Sequence, residues 1–228
     1  VALADYHASR SGTAAGLLAL NAAAGRTYYA LPPEAADDRE AAAEALGGDE
    51  VIVDVQTHFV SDRREAADTW APAIHAMYDA VRPGWWKGID PIVAYDMAEY
   101  LRCVFVESDT AVAVLTSGPG LGPDRMLFNR EMAATRELLD RLGANGRLLN
   151  HCVVHADVPG EIDGMEHERD ARRPVGWKVY TMGETSAAGM SGHRGWYLDD
   201  EHTGVPFLER ARDVDVRPAC AHQGSRPV

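Results

Sequence analysis

Val51-Ile52-Val53-Asp54-Val55-Gln56-Thr57-His58-Phe59-Val60 is the stretch that decides how the fold is read. It opens on β-branched residues in a run short enough for a buried strand. It closes on Asp54, Gln56 and His58, three polar groups at alternate positions. Residues i, i+2 and i+4 of a strand project to one face. One face at the strand's C-terminal end is therefore expected to carry a carboxylate, a carboxamide and an imidazole. A parallel-barrel enzyme needs such a cluster there, because its chemistry sits at the C-terminal ends of the strands. The plainer alternative is a strand that runs out into a polar loop.

Downstream, helical and extended patterns alternate. Ser61-Asp62 is an N-cap pair that opens a helix to about position 81, and Pro83-Gly84 breaks it. Asp90-Pro91, with Asp as N-cap and Pro at the first helical position, starts a second helix to about position 106. The apolar run 110–115 reads as a second strand, stopped by Ser117-Gly118-Pro119-Gly120. Asn129 caps a helix through Leu142, and Gly143 is its stop. A third strand over 147–154 ends at His155 and Asp157, and a charged helix covers about 160–173. A fourth strand over 175–181 carries Lys178, followed by a Gly/Ser/Ala-rich loop over 183–195. A short helix over about 204–213 leads to a fifth strand over 214–221, which runs into His222-Gln223-Gly224.

This order implies an α/β fold of parallel strands with crossover helices. The polar residues collect at strand ends: Asp54, Gln56 and His58; His155 and Asp157; Lys178 and Tyr180; His222. An open doubly wound sheet usually brings a glycine-rich phosphate turn after its first strand, and no GxGxxG occurs here. A partial (β/α)8 barrel is therefore the expected architecture. Five βα units are fewer than the eight that close a barrel, so 51–228 is expected to be the N-terminal part of a longer, truncated one.

The first fifty residues stand outside that scheme. The stretch 14–24 is mostly small and apolar, with Arg10 just upstream and three alanines at its end. Residues 1–30 thus read as an export leader, the alternative being a short Ala-rich surface helix in a chain that stays in the cytoplasm. A Pro-Pro turn and an acidic, Ala-rich helix over about 34–46 form a lead-in across 31–50.

Composition narrows the partners. Hydrophobic residues make up 46% of the 228 residues and charged ones 25%, an ordinary globular balance. The net charge of −13 argues against nucleic acid, since no basic patch offsets phosphate repulsion. No stretch approaches the ~18 apolar residues of a membrane span. Cys103, Cys152 and Cys220 lack the CxxC spacing of a zinc ribbon and suggest no disulfide framework. An open sheet edge is expected to drive homo-oligomer formation.

Three motifs can now be set together: the strand ending Asp54-Val55-Gln56-Thr57-His58, the run Gly176-Trp177-Lys178-Val179-Tyr180-Thr181, and Cys220-Ala221-His222-Gln223-Gly224. With Glu107-Ser108-Asp109-Thr110, Ala134-Thr135-Arg136-Glu137 and Trp196-Tyr197-Leu198-Asp199-Asp200 around them, they resemble the amidohydrolase-related family over about 50–228. That family comprises metal-dependent (β/α)8-barrel hydrolases and decarboxylases. The resemblance implies a divalent metal ion, usually zinc, held by His58 and His222. Gln56 stands where the family has the first histidine of a His-x-His pair, and its carboxamide oxygen is a harder, weaker ligand for zinc. Lys178 lies on the strand where some relatives carry a carbamylated lysine between two metals, which implies a catalytic place for it.

The implied activity is hydrolysis of a small carbonyl substrate: an amide, ester or lactone. A bound metal lowers the pKa of its water towards ~7 and polarises the carbonyl, and Asp54 is a candidate acceptor behind a histidine ligand. Non-oxidative decarboxylation on the same barrel, or a non-catalytic, decayed barrel, are the alternatives. His155 and the Trp85-Trp86 pair are candidates to line the substrate pocket. For His155 the plainer role is to satisfy a strand end, and for the tryptophans it is core or subunit packing.

Overall fold

In the computed structural model, residues 30–47, 51–81, 95–182 and 195–222 are described, with scattered positions between 14 and 27. Five strands alternate with helices: α1 Arg39–Leu46, β1 Ile52–Thr57, α2 Arg64–Val81, α3 Met97–Leu101, β2 Thr110–Leu115, α4 Asn129–Arg141, β3 Leu148–Val153, α5 Met165–Arg172, β4 Gly176–Tyr180, α6 Gly204–Asp213 and β5 Ala219–His222. Every ladder is parallel, and the spatial order is the chain order, β1-β2-β3-β4-β5. The sheet curls as half of a barrel does. The α/β class and the parallel, barrel-like curl are thus as the alternating pattern implies.

Alternation along the strands divides the side chains between two faces. Cys152, Val154, Trp177 and Val179 pack against Met165 of α5 and Phe207 and Ala211 of α6. Trp177 is fully buried and satisfies its indole by donating Nε1–H to the Val216 carbonyl at 2.8 Å. Ala113, Leu115 and Leu148 pack with Met132 and Leu139 of α4 in a second cluster. Gly204 opens α6 against bare backbone: a Cβ there would lie 2.2 Å from the Tyr197 carbonyl oxygen. Ahead of the sheet, Asp38 caps α1 by accepting from the Glu40 and Ala41 amides, and Ala14, Ala35 and Ala42 form a small separate cluster.

Several elements differ from the sequence reading. The strand expected to be buried, β1, is exposed along most of its length because it is an edge: Val53 is 51% and Val55 59% exposed. The second helix is short in the described part; after Leu101 the chain widens into a π turn over Arg102–Val106. The fifth strand begins at Ala219 rather than Val214. Val214 closes α6, and Asp215 then takes a left-handed conformation at φ 57°. Most of the expected leader, the Pro83-Gly84 break, the Asp90-Pro91 helix start, nearly all of the 183–195 loop and Gln223-Gly224 lie outside the described residues.

Edge strands with unpaired backbone groups and apolar side chains template association with another chain. Replacing Val53 and Val55 together by lysine should raise the monomer fraction in sedimentation velocity at fixed concentration, with the circular dichroism spectrum unchanged. An unaltered mass distribution contradicts the assignment of this edge as a contact surface.

Candidate functional site

Register builds the site. Val153 lies level with Lys178, Lys178 with Cys220, and Tyr180 with His222. Residues level across a parallel ladder share a face, so Val153, Lys178, Tyr180, Cys220 and His222 all belong to the face opposite Trp177 and Val179. β1 reaches the same face from the far side of the curl. Lys178 Nζ donates to Gln56 Oε1 at 3.0 Å, joining residues 122 positions apart.

The first strand does not keep the regular alternation expected of it. Its ladder with β2 slips between Asp54 and Thr57: Asp54 lies level with Ala113 and Thr57 with Leu115, three residues against two. Thr57 turns to the helix side, where its hydroxyl lies 2.7 Å from the Tyr100 hydroxyl and donates to the Val114 carbonyl at 3.0 Å. Gln56 takes the inner side instead. Asp54 and Thr57, level with positions two apart on β2, share a side, so the bulge separates Asp54 from Gln56. Asp54 Oδ1 accepts from the Gln56 amide at 3.0 Å.

His58 follows directly. Its Nδ1 lies 3.2 Å from the Thr116 carbonyl oxygen. A carbonyl only accepts, so Nδ1 carries the proton and Nε2 presents a lone pair. Burial lowers the pKa of His58, and the charges of Lys178 and His222 act in the same direction, against the Thr116 bond and Asp54. The ring is therefore held neutral, the state a metal ligand or general base requires. The His222 ring stacks on Tyr180 at 5.6 Å between centroids, and the Tyr180 hydroxyl donates to the Ser117 carbonyl at 2.5 Å. Burial pushes the Tyr180 phenol well above its usual pKa, so it stays a neutral donor.

Lys178 is 1% exposed. Its ammonium also lies 5.1 Å from the centroid of the Tyr180 ring, whose face attracts a cation. Burial lowers its pKa. One layer deeper, His151 is 7% exposed, and its Nδ1 has no hydrogen-bond partner among the described residues. Burial, with Lys178 nearby, lowers its pKa to about 4.

Gln56, His58, Lys178 and His222 are thus brought to one rim. His155 is buried at 1% exposed just beyond β3, where its carbonyl accepts from the Val158 amide. Trp85 and Trp86 lie outside the described residues. Sequence reasoning passed over His151 and gave Tyr180 no role. The signal for His151 was its spacing, two residues before Val153 on the face that carries Lys178. A cavity of about 540 Å³ lies elsewhere, between Phe59, Met97, Leu127, Thr135 and Leu138, and none of the rim histidines lines it.

The donor chemistry can be set against a divalent ion. His58 and His222 are two imidazole nitrogen donors, and the Thr116 carbonyl behind His58 is the kind of acceptor that orients a ligating ring. Gln56 is already engaged by Lys178. Among the described residues, no group of three His, Cys, Asp or Glu side chains is arranged to hold a metal. The two histidines fit part of a ligand set, whereas a catalytic zinc takes three protein ligands.

No family model, curated protein or solved structure matches this chain.

The depressed pKa of His151 links stability to pH. Between about 6.5 and about 4 the unfolded chain binds a proton at this ring that the folded chain refuses, so stability falls as pH drops through that window. His151→Gln should lose about 3 kcal/mol less than the parent between pH 6.5 and 4 in urea denaturation, by 1.36 kcal/mol per pKa unit. Parallel pH profiles would show that His151 is not held neutral by the fold.

Proposed function

We propose that this chain carries part of the active site of a metal-dependent hydrolase of the amidohydrolase type, acting on a small amide, ester or lactone. The observation that carries the reading is the convergence of His58, His222, Gln56 and Lys178 on one rim of a curled parallel sheet. These residues come from β1, β4 and β5, and they meet where a barrel-like sheet puts its chemistry.

In this reading His58 and His222 hold a divalent ion, zinc by preference, with further donors from outside the described residues. Such an ion supplies an activated water and a polarised carbonyl. The chain's own residues do the rest. The Thr116 carbonyl fixes the His58 tautomer and aims its Nε2. Tyr180 braces the His222 ring from one side. Lys178, its pKa lowered by burial, sits within reach of Gln56 as a group that orients substrate or moves a proton. Val153 and Tyr180, both nearly buried, keep water from the lysine.

His58→Ala and His222→Ala should each weaken zinc binding by more than about tenfold in isothermal titration. Each should also abolish zinc-dependent hydrolysis of p-nitrophenyl acetate, while Lys178→Met should keep zinc and lose turnover. Unchanged zinc affinity in both histidine variants would overturn the proposal.

A further inference from the structure

Among the described residues, the inner face of the sheet is one negative charge short. Lys178 is 1% exposed, and its hydrogen-bond acceptor, Gln56 Oε1 at 3.0 Å, is neutral. Its other near neighbour is the face of the Tyr180 ring at 5.1 Å. Among the described residues no carboxylate pairs with it. Among the described residues, the titratable groups sharing its surroundings are His58, His151, His222, Cys220 and Tyr180, none of them a carboxylate. The nearest acid on β1, Asp54, spends Oδ1 on the Gln56 amide. An ammonium removed from water without an anion is costly, and a site with that deficit favours whatever supplies the anion.

Gln56 marks where the anion would sit. Its side chain is exposed, on a strand at the sheet edge, and its oxygen occupies a position an incoming oxygen can take by displacing it. The bond to Gln56 is charged on its donor side alone, and a carboxylate in its place adds the attraction between two full charges. The low local dielectric strengthens that attraction further. We propose that Lys178 receives a carboxylate of the substrate in the place of the Gln56 carboxamide, so the small carbonyl compound taken by this site is an anion. The hydrolytic part of that statement rests on the proposed function above; the anion site does not.

The test uses the purified chain with a chelator present and two probes of the same shape, benzoate and benzamide. Isothermal titration should show benzoate binding at least about tenfold more tightly than benzamide. Lys178→Met should remove the difference and Lys178→Arg should keep it. Gln56→Leu, at an exposed position that leaves the core untouched, should tighten benzoate severalfold, because the carboxylate no longer competes with the carboxamide. The His58→Ala and His222→Ala chains should keep the benzoate preference under chelator, so failure of the metal reading leaves this one standing. Equal affinity for the two probes would overturn the proposal. So would a preference that survives Lys178→Met, or a benzoate affinity unmoved by Gln56→Leu.

Discussion

The contact between Lys178 and Gln56 spans the curl of the sheet, joining residues 122 positions apart. A buried ammonium must find an acceptor, and the one it has lies on the opposite side of the sheet's curl. The bond therefore ties β4 to β1 across the concave face, although the two strands are not neighbours in the sheet. It also fixes which way the Gln56 side chain points, while the Thr116 carbonyl orients His58. Losing it would leave the ammonium without its acceptor, while β1 would keep its ladder with β2 and the Thr57 contacts to Tyr100 and Val114.

The rim around that contact is built from backbone carbonyls as much as from side chains. Thr116 and Ser117, immediately after β2, offer their carbonyls to His58 and to Tyr180. One turn thus orients two rings, which in turn flank Lys178 and His222. The Ser117 hydroxyl accepts from the Leu127 amide and anchors the same turn to the chain before α4. The electrostatics follow from burial. His58 and Lys178 lose proton affinity, Tyr180 holds its proton more tightly, and each group is driven towards its neutral form.

Much of the architecture was legible because its signals are local. Ser117-Gly118-Pro119-Gly120 ends a strand by chain stiffness, and the apolar runs at 110–115 and 175–181 are too short for buried helices. Lys178 stood out as a charge in such a run, and His222 as an imidazole at a strand end. What escaped depends on neighbours. The slip between Asp54 and Thr57 is set by pairing with β2, so alternation alone placed Asp54 beside Gln56 when the bulge separates them. The exposure of β1 follows from its place at the edge, which its composition does not encode. The late start of β5 depends on one left-handed residue, Asp215. The meeting of Gln56 with Lys178, 122 residues apart, has no local signature at all. The resemblance to the amidohydrolase-related family rests on the motifs alone, since no relative matches the chain.

The central claim is that two imidazoles distant in sequence hold one ion at this rim. The most direct measurement is a zinc titration followed through the assigned histidine Cε1–H resonances in a proton–carbon NMR spectrum. The account predicts that the signals of His58 and His222 move together and saturate at one equivalent, while that of His202, in the loop before α6, stays in place. Movement of only one of the two, or of neither, would contradict it.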